Sequence, residues 1–550
     1  MNYPLWDLPA PGLLIAFVAI VHVFVSHFAV GGGLFLVMTE RKARNEHDAA
    51  LLEFVRTHTK FFVLLTLVFG AMTGVGIWFT IGLVNPAATS SLITTFVWGW
   101  AIEWTFFVIE IAAAMVYYYG WDRLTPRTHM AVGWIYFVSA WMSLVVINGI
   151  LSFMLTPGAW LTTASFWDGM LNPTYWPSVV ARTAAAVGLA GIYALLTAAR
   201  VADAPLKAKI GRYATLGWVA PMAVVLPLSL LWFISAASSA GVPVREVMGA
   251  SDGSWPAIVD AIVRGSETGQ PIAQRAVRAA FVACGLALAL SALILMRREQ
   301  YGRPLAAALM ASAFVALGAG EWVREDLRKP YVIGDYMFVN GIRSSAAGND
   351  RFTVTALNES GVLTASLWGR LPRDLDIKPP PDRLVAEGQE TFRLLCSQCH
   401  TTDGYLAVRP LVQGATPAAI DATLSRLQTW RHRRMPPFVG TVTERQALAG
   451  YLATLGGMAP AQAAGSLSPS GEDGHSLFDA NCSMCHGPDG PFPFSNYVSK
   501  KRSAEMFYDM LGRLPAINDA MPPLDATEAQ RRALAAYLAQ LPELGAGGGR

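Results

Sequence analysis

Residues 11–38 read PGLLIAFVAIVHVFVSHFAVGGGLFLVM and contain no Asp, Glu, Lys or Arg. A helix needs about 20 predominantly apolar residues to cross a bilayer, so this stretch is long enough to span one. It is too long for the apolar core of a signal peptide, and no basic residue precedes it. Seven further apolar stretches follow, at 60–84, 92–119, 129–155, 177–199, 213–238, 276–296 and 304–323. The sequence therefore predicts eight membrane-spanning helices, all of which end before Glu325.

The composition of the whole chain agrees with a membrane protein. Apolar residues make up 53% of the 550 residues and charged residues 15%, against about 25% charged in an average soluble protein. Together with a mean hydropathy of +0.37, these values exclude a soluble enzyme and a disordered chain. The net charge of +3 is too balanced for a nucleic-acid-binding protein. Five cysteines are too few for a secreted scaffold held together by disulfides.

The basic residues between the spans predict the orientation in the membrane. Fourteen Lys and Arg residues follow spans one, three, five and seven, from Arg41 to Arg303. The loops after the even-numbered spans hold four, all in the long loop after span six. Because positive charge marks the cytoplasmic side, the N-terminus is predicted to lie outside. Eight crossings then place the C-terminal part outside as well, in the periplasm of a bacterium whose inner membrane holds the spans.

The part of the chain after the spans contains one pattern twice. Cys396-Ser-Gln-Cys399-His400 and Cys482-Ser-Met-Cys485-His486 each form a Cys-x-x-Cys-His motif, which offers two thiols for thioether bonds to haem and one imidazole for its iron. The surroundings repeat at the same offset of 86 residues, which relates Phe392 to Phe478, Met435 to Met521 and Tyr451 to Tyr537.

A gap-free repeat of this kind predicts two copies of one small helical domain. We therefore divide the chain into a membrane domain, a periplasmic connector, a first haem domain, a linker and a second haem domain. The predicted ranges are 1–325, 326–381, 382–458, 459–470 and 471–545.

Each copy resembles class I cytochrome c: a helix leads into the attachment motif, a loop carries a Met before two prolines, and a last helix closes the domain. The resemblance implies two covalent haem c groups. It implies axial ligation by His400 and Met435 in one copy and by His486 and Met521 in the other. Such ligation raises the haem potential and leaves no open position on the iron. Two alternatives remain, namely His432 in place of Met435, and a zinc site, which would need a fourth ligand.

Several stretches before residue 340 resemble subunit I of the cytochrome bd quinol oxidases. They are VHVFVSHFAVG at 21–31, FGAMTG at 69–74, AIEWTFFVIE at 101–110, GWDRLTPRTHM at 120–130, LNP at 171–173 and WVREDLRKPYVIGD at 322–335. The fold class expected from both resemblances is all-α, with an eight-helix transmembrane bundle followed by two small helical cytochrome c domains.

The second resemblance also assigns residues in the membrane. His22 and Glu325 match the axial ligands of the family's two high-spin haems, which implies one or two non-covalent b- or d-type haems. Glu103 and Glu110 match an acid pair near the oxygen-reducing haems, although they stand one residue closer together here. Intramembrane carboxylates commonly form proton relays, so both are predicted proton carriers. Arg328 matches the Arg of the family's haem-site segment.

The sequence departs from the family where the low-spin, quinol-facing haem is bound. The family has a His on span five, where this chain has Ala181 or Arg182, and a Met on span seven, where Ala280 stands. These residues cannot ligate the iron in the family's way. The loop between spans six and seven, which carries the family's quinol site, shows no clear match. We infer that this haem and its quinol site are absent, so that electrons enter through the c haems instead.

Three hypotheses about function follow. In the first, electrons pass from the c haems to a high-spin haem site that reduces O2 or a nitrogen oxide. In the second, the chain passes electrons between the quinol pool or a complex and periplasmic acceptors, without terminal oxidase chemistry. In the third, the membrane part is scaffold in a larger respiratory assembly. Expected partners are membrane lipid, a second membrane subunit or larger complex, and a periplasmic electron-transfer protein; nucleic acid is not expected.

Overall fold

The computed structural model of the protein describes residues 8–249, 271–345, 351–371, 380–429, 434–465, 473–487, 503–518 and 526–545, with a few residues between these ranges. Within them, eight helices are long and apolar enough to cross a membrane, which confirms the predicted number of spans. They are α1 (Pro11–Asn45), α2 (Ala49–Val84), α3 (Val97–Tyr119), α4 (Pro126–Phe153), α5 (Tyr175–Ala198), α6 (Ala204–Ser239), α7 (Pro271–Arg297) and α8 (Arg303–Arg328).

Two of these helices begin well before their predicted starts at residues 60 and 213, because aspartates cap them. Asp48 accepts the N–H of Leu51 at 2.9 Å before α2, and Asp203 accepts the N–H of Leu206 at 2.8 Å before α6. Such caps satisfy N–H groups that a first helical turn leaves free. Basic residues that the sequence places in loops, such as Lys60, therefore lie within helices. At the other end, α8 continues to Arg328, one turn beyond residue 325.

The first helix lies at the centre of the membrane bundle and packs against α2, α4, α5 and α8. Small residues allow this close packing. A Cβ at Gly31 would lie 1.9 Å from Ala186 O of α5, so the two backbones approach too closely for any side chain there. Phe28, Phe35 and Phe62 are fully buried around this crossing.

The second helix contains a π-helical segment at Leu64–Gly70. Such segments inside α-helices frequently occur at functional sites. A second π segment, Thr215–Val219, interrupts α6.

Short elements connect the membrane helices and lead out of the bundle. After α8 the chain forms an antiparallel pair of strands, β1 (Tyr331–Ile333) and β2 (Met337–Phe338), in which Tyr331 is opposite Phe338. The connecting helices are Pro86–Thr95, Trp160–Thr163, Phe166–Met170, Val244–Met248, Val354–Ser360 and Val362–Ala365.

The two C-terminal repeats fold as small helical units. The first contains α9 (Pro380–Leu395), α10 (Pro417–Leu424) and α11 (Val442–Leu455), and the second contains α12 (Gly474–Asn481), α13 (Ala504–Leu511) and α14 (Glu528–Gly545). Shorter helices lie at Arg409–Val412, Leu427–Thr429, Pro460–Gly465, Ser483–His486 and Leu514–Ile517.

The repeat extends to the packing of the helices. In the first unit α9 crosses α11 at Gly388, where a Cβ would lie 2.0 Å from Ala447 O. In the second unit α12 crosses α14 at Gly474, where a Cβ would lie 2.3 Å from Ala533 O. Gly388 and Gly474 are 86 residues apart, and so are Ala447 and Ala533, as the sequence repeat requires.

Candidate haem sites

The two Cys-x-x-Cys-His motifs adopt the same backbone geometry. In the first, the N–H of Cys396 donates to Phe392 O at 2.8 Å and the N–H of His400 donates to Cys396 O at 2.9 Å. The equivalent distances in the second motif are 2.7 Å and 2.8 Å. Each motif is thus a helical turn at the end of the preceding helix, which brings two thiols and an imidazole close together.

Both imidazoles are oriented by a backbone carbonyl. His400 Nδ1 lies 2.9 Å from Leu406 O, and His486 Nδ1 lies 2.9 Å from Phe492 O. A carbonyl oxygen only accepts hydrogen bonds, so Nδ1 carries the proton and Nε2 presents its lone pair. This is the tautomer in which an imidazole ligates iron through Nε2.

Partial burial affects the first cysteine of each motif. It raises the pKa of the Cys396 thiol, and that of the Cys482 thiol, to about 12. Among the described residues, no three His, Cys, Asp or Glu side chains form a group that could hold a metal ion.

The two predicted methionine ligands lie in the loops before the last helix of each unit. Met435 and Met521 are both half-buried, and the N–H of Met521 donates to Asn518 O at 2.9 Å. Their role as ligands stays a prediction. The alternative ligand, His432, lies outside the described residues.

In the membrane part, His22 faces α2 just after its π segment. His22 Nδ1 lies 3.1 Å from Thr73 Oγ1. A Cβ at Gly74 would lie 3.1 Å from His22 Cε1, so only a glycine leaves ordinary space for the imidazole there. The FGAMTG stretch therefore supplies both the hydrogen-bond partner and the room that His22 needs.

Glu325 and Arg328 lie together in the last turns of α8. Arg328 Nη2 is 2.6 Å from both carboxylate oxygens of Glu325, and Arg328 Nη1 is 3.4 Å from the sulfur of Met154. Arg324 Nη1 and Arg328 Nε are buried and have no hydrogen-bond partner among the described residues. Buried donors of this kind fit an anionic group, such as a haem propionate, beside the carboxylate.

His22 and Glu325 lie at different depths in the bundle. The rings of Phe24 and Phe314 are 5.1 Å apart, and a Cβ at Gly318 would lie 3.2 Å from Ile20, so α1 and α8 run antiparallel past His22. Glu325 is seven residues further along α8 than Gly318, or about 10 Å at 1.5 Å per residue. The two side chains therefore lie at different depths in the bundle, and their roles as haem ligands stay predictions.

Arg182, one of the two residues predicted at the place of the family's low-spin haem ligand, forms a partly buried ion pair. Arg182 Nη2 is 2.7 Å from Glu321 Oε1, and Arg324 Nε is 2.9 Å from Glu321 Oε2. His27 is buried nearby, and its Nδ1 donates to Val23 O at 2.7 Å. The sequence identified Arg182 as a departure but did not predict its partner.

The predicted acid pair on α3 is matched by hydroxyl groups on α4. Ser143 Oγ donates to Glu103 Oε1 at 2.8 Å, and the Tyr136 hydroxyl donates to Glu110 Oε1 at 3.1 Å. Both pairs are seven residues apart on their helices, so they lie two turns apart along the same α3–α4 contact.

Sequence reasoning missed a fully buried carboxylate, Glu40, near the C-terminal end of α1. Its oxygens lie 3.0 Å from His129 Nδ1 and 2.7 Å from the Tyr117 hydroxyl, and Arg44 Nη2 is 2.6 Å from Oε1. Glu40 and His129 are both fully buried. His129 belongs to the GWDRLTPRTHM stretch, and its place in that stretch was the one feature of the sequence that pointed to these contacts.

The first attachment motif lies directly on the membrane helices. Gln398, between its two cysteines, donates from Nε2 to Val84 O at the end of α2 at 3.0 Å. A Cβ at Gly12 of α1 would lie 3.4 Å from Gln398 O. Burial raises the pKa of the Cys399 thiol, while the Lys329 ammonium just after α8 lowers it. The cysteines of the first motif thus lie beside the ends of α1, α2 and α8.

The second unit packs on the first. Its α12 lies against α10, and Arg426 Nη2 is 3.0 Å from Asn481 Oδ1, next to Cys482. The second attachment motif therefore lies close to the first unit.

Comparison with known proteins finds family matches for both parts of the chain. Residues 13–246 match the family model of cytochrome bd terminal oxidase subunit I, and residues 383–452 and 469–538 match that of cytochrome c oxidase, cbb3-type, subunit III. Comparison with the curated proteins found no match. Among solved structures, the chain is similar to the bd oxidase from Geobacillus thermodenitrificans, with 15% sequence identity, a TM-score of 0.47 and coverage of 60% of this chain and 89% of that one. The chain thus joins a membrane part like subunit I of the cytochrome bd oxidases to two cytochrome c domains, in one transmembrane haem protein of electron transport.

Proposed function

We propose that this protein is a cytochrome c-fed terminal oxidoreductase of the bd type. Its haems, when bound, supply the redox chemistry: electrons enter at the two haem c groups and pass to a high-spin haem site in the membrane, where O2 or a nitrogen oxide is reduced. The observation that carries this proposal is the position of the first attachment motif on the ends of α1, α2 and α8, beside the segment that carries Glu325.

Different side chains would hold the different haems. Cys396, Cys399, Cys482 and Cys485 would form the thioether bonds, and His400, Met435, His486 and Met521 would ligate the two c-type irons. In the membrane, His22 and Glu325 would be the ligands, and Arg328 holds the Glu325 carboxylate in place.

The ion pair of Arg182 with Glu321 supports entry through the c domains rather than from quinol. A guanidinium that is always charged cannot take the place of a neutral imidazole on iron. Its carboxylate partner is partly buried as well, at 18% exposure, and separating a pair that is largely shielded from water is costly. The low-spin haem of the quinol oxidases therefore has no ligand at this position.

Protons for the reduction are carried by Glu103 and Glu110. Each carboxylate has a hydroxyl partner that can pass a proton on, Ser143 for the first and Tyr136 for the second. We expect Glu110→Gln to lower the steady-state rate of O2 reduction by about a hundredfold, the lower end of what a positioned proton-transfer group contributes. Haem content and the spectrum with carbon monoxide should not change, and an unchanged rate of O2 reduction would exclude Glu110 from the proton path.

The localisation is proposed from the charge of the loops. With the N-terminus of α1 outside, both c domains lie in the periplasm and Glu40 lies near the cytoplasmic end of α1. Exposed apolar side chains on α3 and α6, among them Trp104, Val108, Val224 and Leu228, face lipid or a second membrane subunit.

A haem inventory with redox spectra, followed by carbon monoxide addition to the reduced protein, tests the proposal. We expect two covalent haem c groups and non-covalent haem that binds carbon monoxide. Two haem c groups with no other haem would leave the alternative, an anchored electron carrier. Reduction of the c haems by added quinol would favour an electron-transfer subunit that draws on the quinol pool.

A further inference from the structure

The contact between the first c domain and the membrane part includes a buried ion pair. Arg434 Nη2 lies 2.5 Å from Asp326 Oδ1 and 2.5 Å from Asp326 O. The two side chains are only 8% and 6% exposed. Lys329 Nζ lies 3.6 Å from the same carboxylate and adds a second positive charge.

The position of Arg434 at the end of α8 has a physical reason. Asp326 lies in the last turn of this helix, where carbonyl groups lack helical partners and carry partial negative charge. One nitrogen of the guanidinium, Nη2, contacts both the carbonyl and the carboxylate of this residue and so places a positive charge at the helix end. Arg434 thus acts as a cap on α8 that comes from another domain.

The ion pair connects the two segments that hold predicted iron ligands. Arg434 directly precedes Met435, and Asp326 directly follows Glu325. Neighbouring Cα atoms are about 3.8 Å apart, so movement of either partner shifts its ligand.

We propose that the Arg434–Asp326 pair is a clamp that fixes the first c domain in one orientation on the outer end of α8. Resting on the function proposed above, the clamp sets the separation between the iron held by His400 and Met435 and the site at Glu325. Arg434 and Asp326 are then positioning residues for electron transfer, which falls steeply with distance.

Attachment alone does not explain the pair, because the connector already joins the two parts covalently. Burying two charges in an interface is costly unless they stay paired. Loss of one partner leaves the other charge buried and unpaired, so the interface should open around it.

Hydrogen–deuterium exchange of the full-length, haem-loaded protein in lipid nanodiscs tests the clamp without reference to catalysis. We expect Arg434→Gln and Asp326→Asn each to raise exchange at 80–87, 326–330 and 395–400 about tenfold or more, because opening exposes these backbones. The control is Arg445→Gln, which breaks an Arg–Asp ion pair to Asp421 inside the c domain, at 2.8 Å and away from the contact with the membrane part. Unchanged exchange in both interface variants, or equal exchange in the control, would overturn the proposal.

A double-mutant cycle tests whether Arg434 and Asp326 stabilise the interface by contacting each other or each act on their own. If the two residues act as a pair, Arg434→Gln/Asp326→Asn should exchange no faster than the worse single variant, since coupled residues do not add. Additive effects would mean that each residue stabilises the interface separately, and the clamp would be wrong.

Flash photolysis of carbon monoxide from the partly reduced protein then measures electron transfer between the membrane site and the first haem c. The single interface variants should slow this step at least about tenfold, while the c-type spectrum and the Arg445→Gln rate stay as in the unaltered protein. A normal rate together with increased exchange would overturn the positioning role. If no carbon monoxide signal exists, the proposed function fails, and the exchange experiment still decides the clamp.

Discussion

At the scale of single residues, His22 carries the most direct test of the membrane site. Its imidazole has a hydrogen-bond partner in Thr73 and a dedicated space beside Gly74, so its position is determined by α2 as well as by α1. His27 lies on the same helix five residues later, and its Nδ1 is engaged with Val23 O.

We expect His22→Ala to remove the carbon monoxide-binding haem signal while both haem c groups remain. The reason is that a high-spin haem would lose its protein ligand, whereas the c haems are held covalently in another domain. Difference spectra of the reduced protein with and without carbon monoxide measure this. His27→Ala is the matched control and should keep the signal; loss in both variants would point to a general defect of α1.

Arg182 allows a second test at the same scale. Replacing it with Met should destabilise the membrane part by about 1–3 kcal/mol, because the partly buried Glu321 carboxylate would keep Arg324 but lose its partner from α5. Thermal unfolding in detergent, followed by the membrane haem spectrum, checks this. The double variant Arg182→Met/Glu321→Met should recover much of the loss, and a stable single variant would show that the pair contributes little.

At the scale of secondary-structure elements, the two c domains contain equivalent crossings of their first and last helices. Gly388 of α9 and Gly474 of α12 occupy equivalent places, each with a backbone carbonyl of the closing helix where a side chain would be. Phe392 with Tyr451, and Phe478 with Tyr537, flank the crossings with ring centroids 6.0 Å and 5.7 Å apart.

Gly388→Ala should therefore destabilise the first c domain by about 1–3 kcal/mol, the usual range for overpacking a close contact. Gly474→Ala should do the same to the second. Denaturant unfolding followed by the absorbance of each haem c measures both, and Gln389→Ala, an exposed neighbour on α9, is the control. A control that is as unstable as Gly388→Ala would contradict the crossing as the cause.

At the scale of the whole molecule, the membrane part, the first c domain and the second c domain are stacked in this order. The second c domain packs on the first, and the first lies on the ends of α1, α2 and α8. The proposed topology orients this stack outward from the membrane.

Protease accessibility tests that topology. In spheroplasts, proteinase K added outside should cleave between the two c domains and release a fragment with covalent haem, because both lie in the periplasm. An epitope inserted after His47, between α1 and α2, should be cleaved only in inverted vesicles. Protection of the haem domains in spheroplasts would reverse the proposed orientation.

Short sequence patterns predicted those features that are determined by residues close together in the chain. Apolar length was sufficient for the eight spans, and the spacing of Cys396, Cys399 and His400 was sufficient for the attachment turn, since both are set within a few helical turns. The buried ion pairs were not predictable. Glu40 with His129, Arg434 with Asp326 and Arg182 with Glu321 are 89, 108 and 139 residues apart, so they depend on how the helices pack.

The π segment at Leu64–Gly70 has a consequence for how this chain tolerates insertions and deletions. A π turn holds one more residue than an α turn, and one residue corresponds to about 100° of rotation at 3.6 residues per turn. A homologous chain that lacked one residue in this segment could return to a regular α-helix, and its Thr73 and Gly74 would still face His22, because the π turn absorbs the extra residue. A deletion elsewhere between α1 and Thr73 on this helix would instead rotate both residues by about 100° away from His22. The place of a deletion relative to the π segment, rather than the hydrophobicity of the helix, therefore determines whether His22 keeps its hydrogen-bond partner and its space.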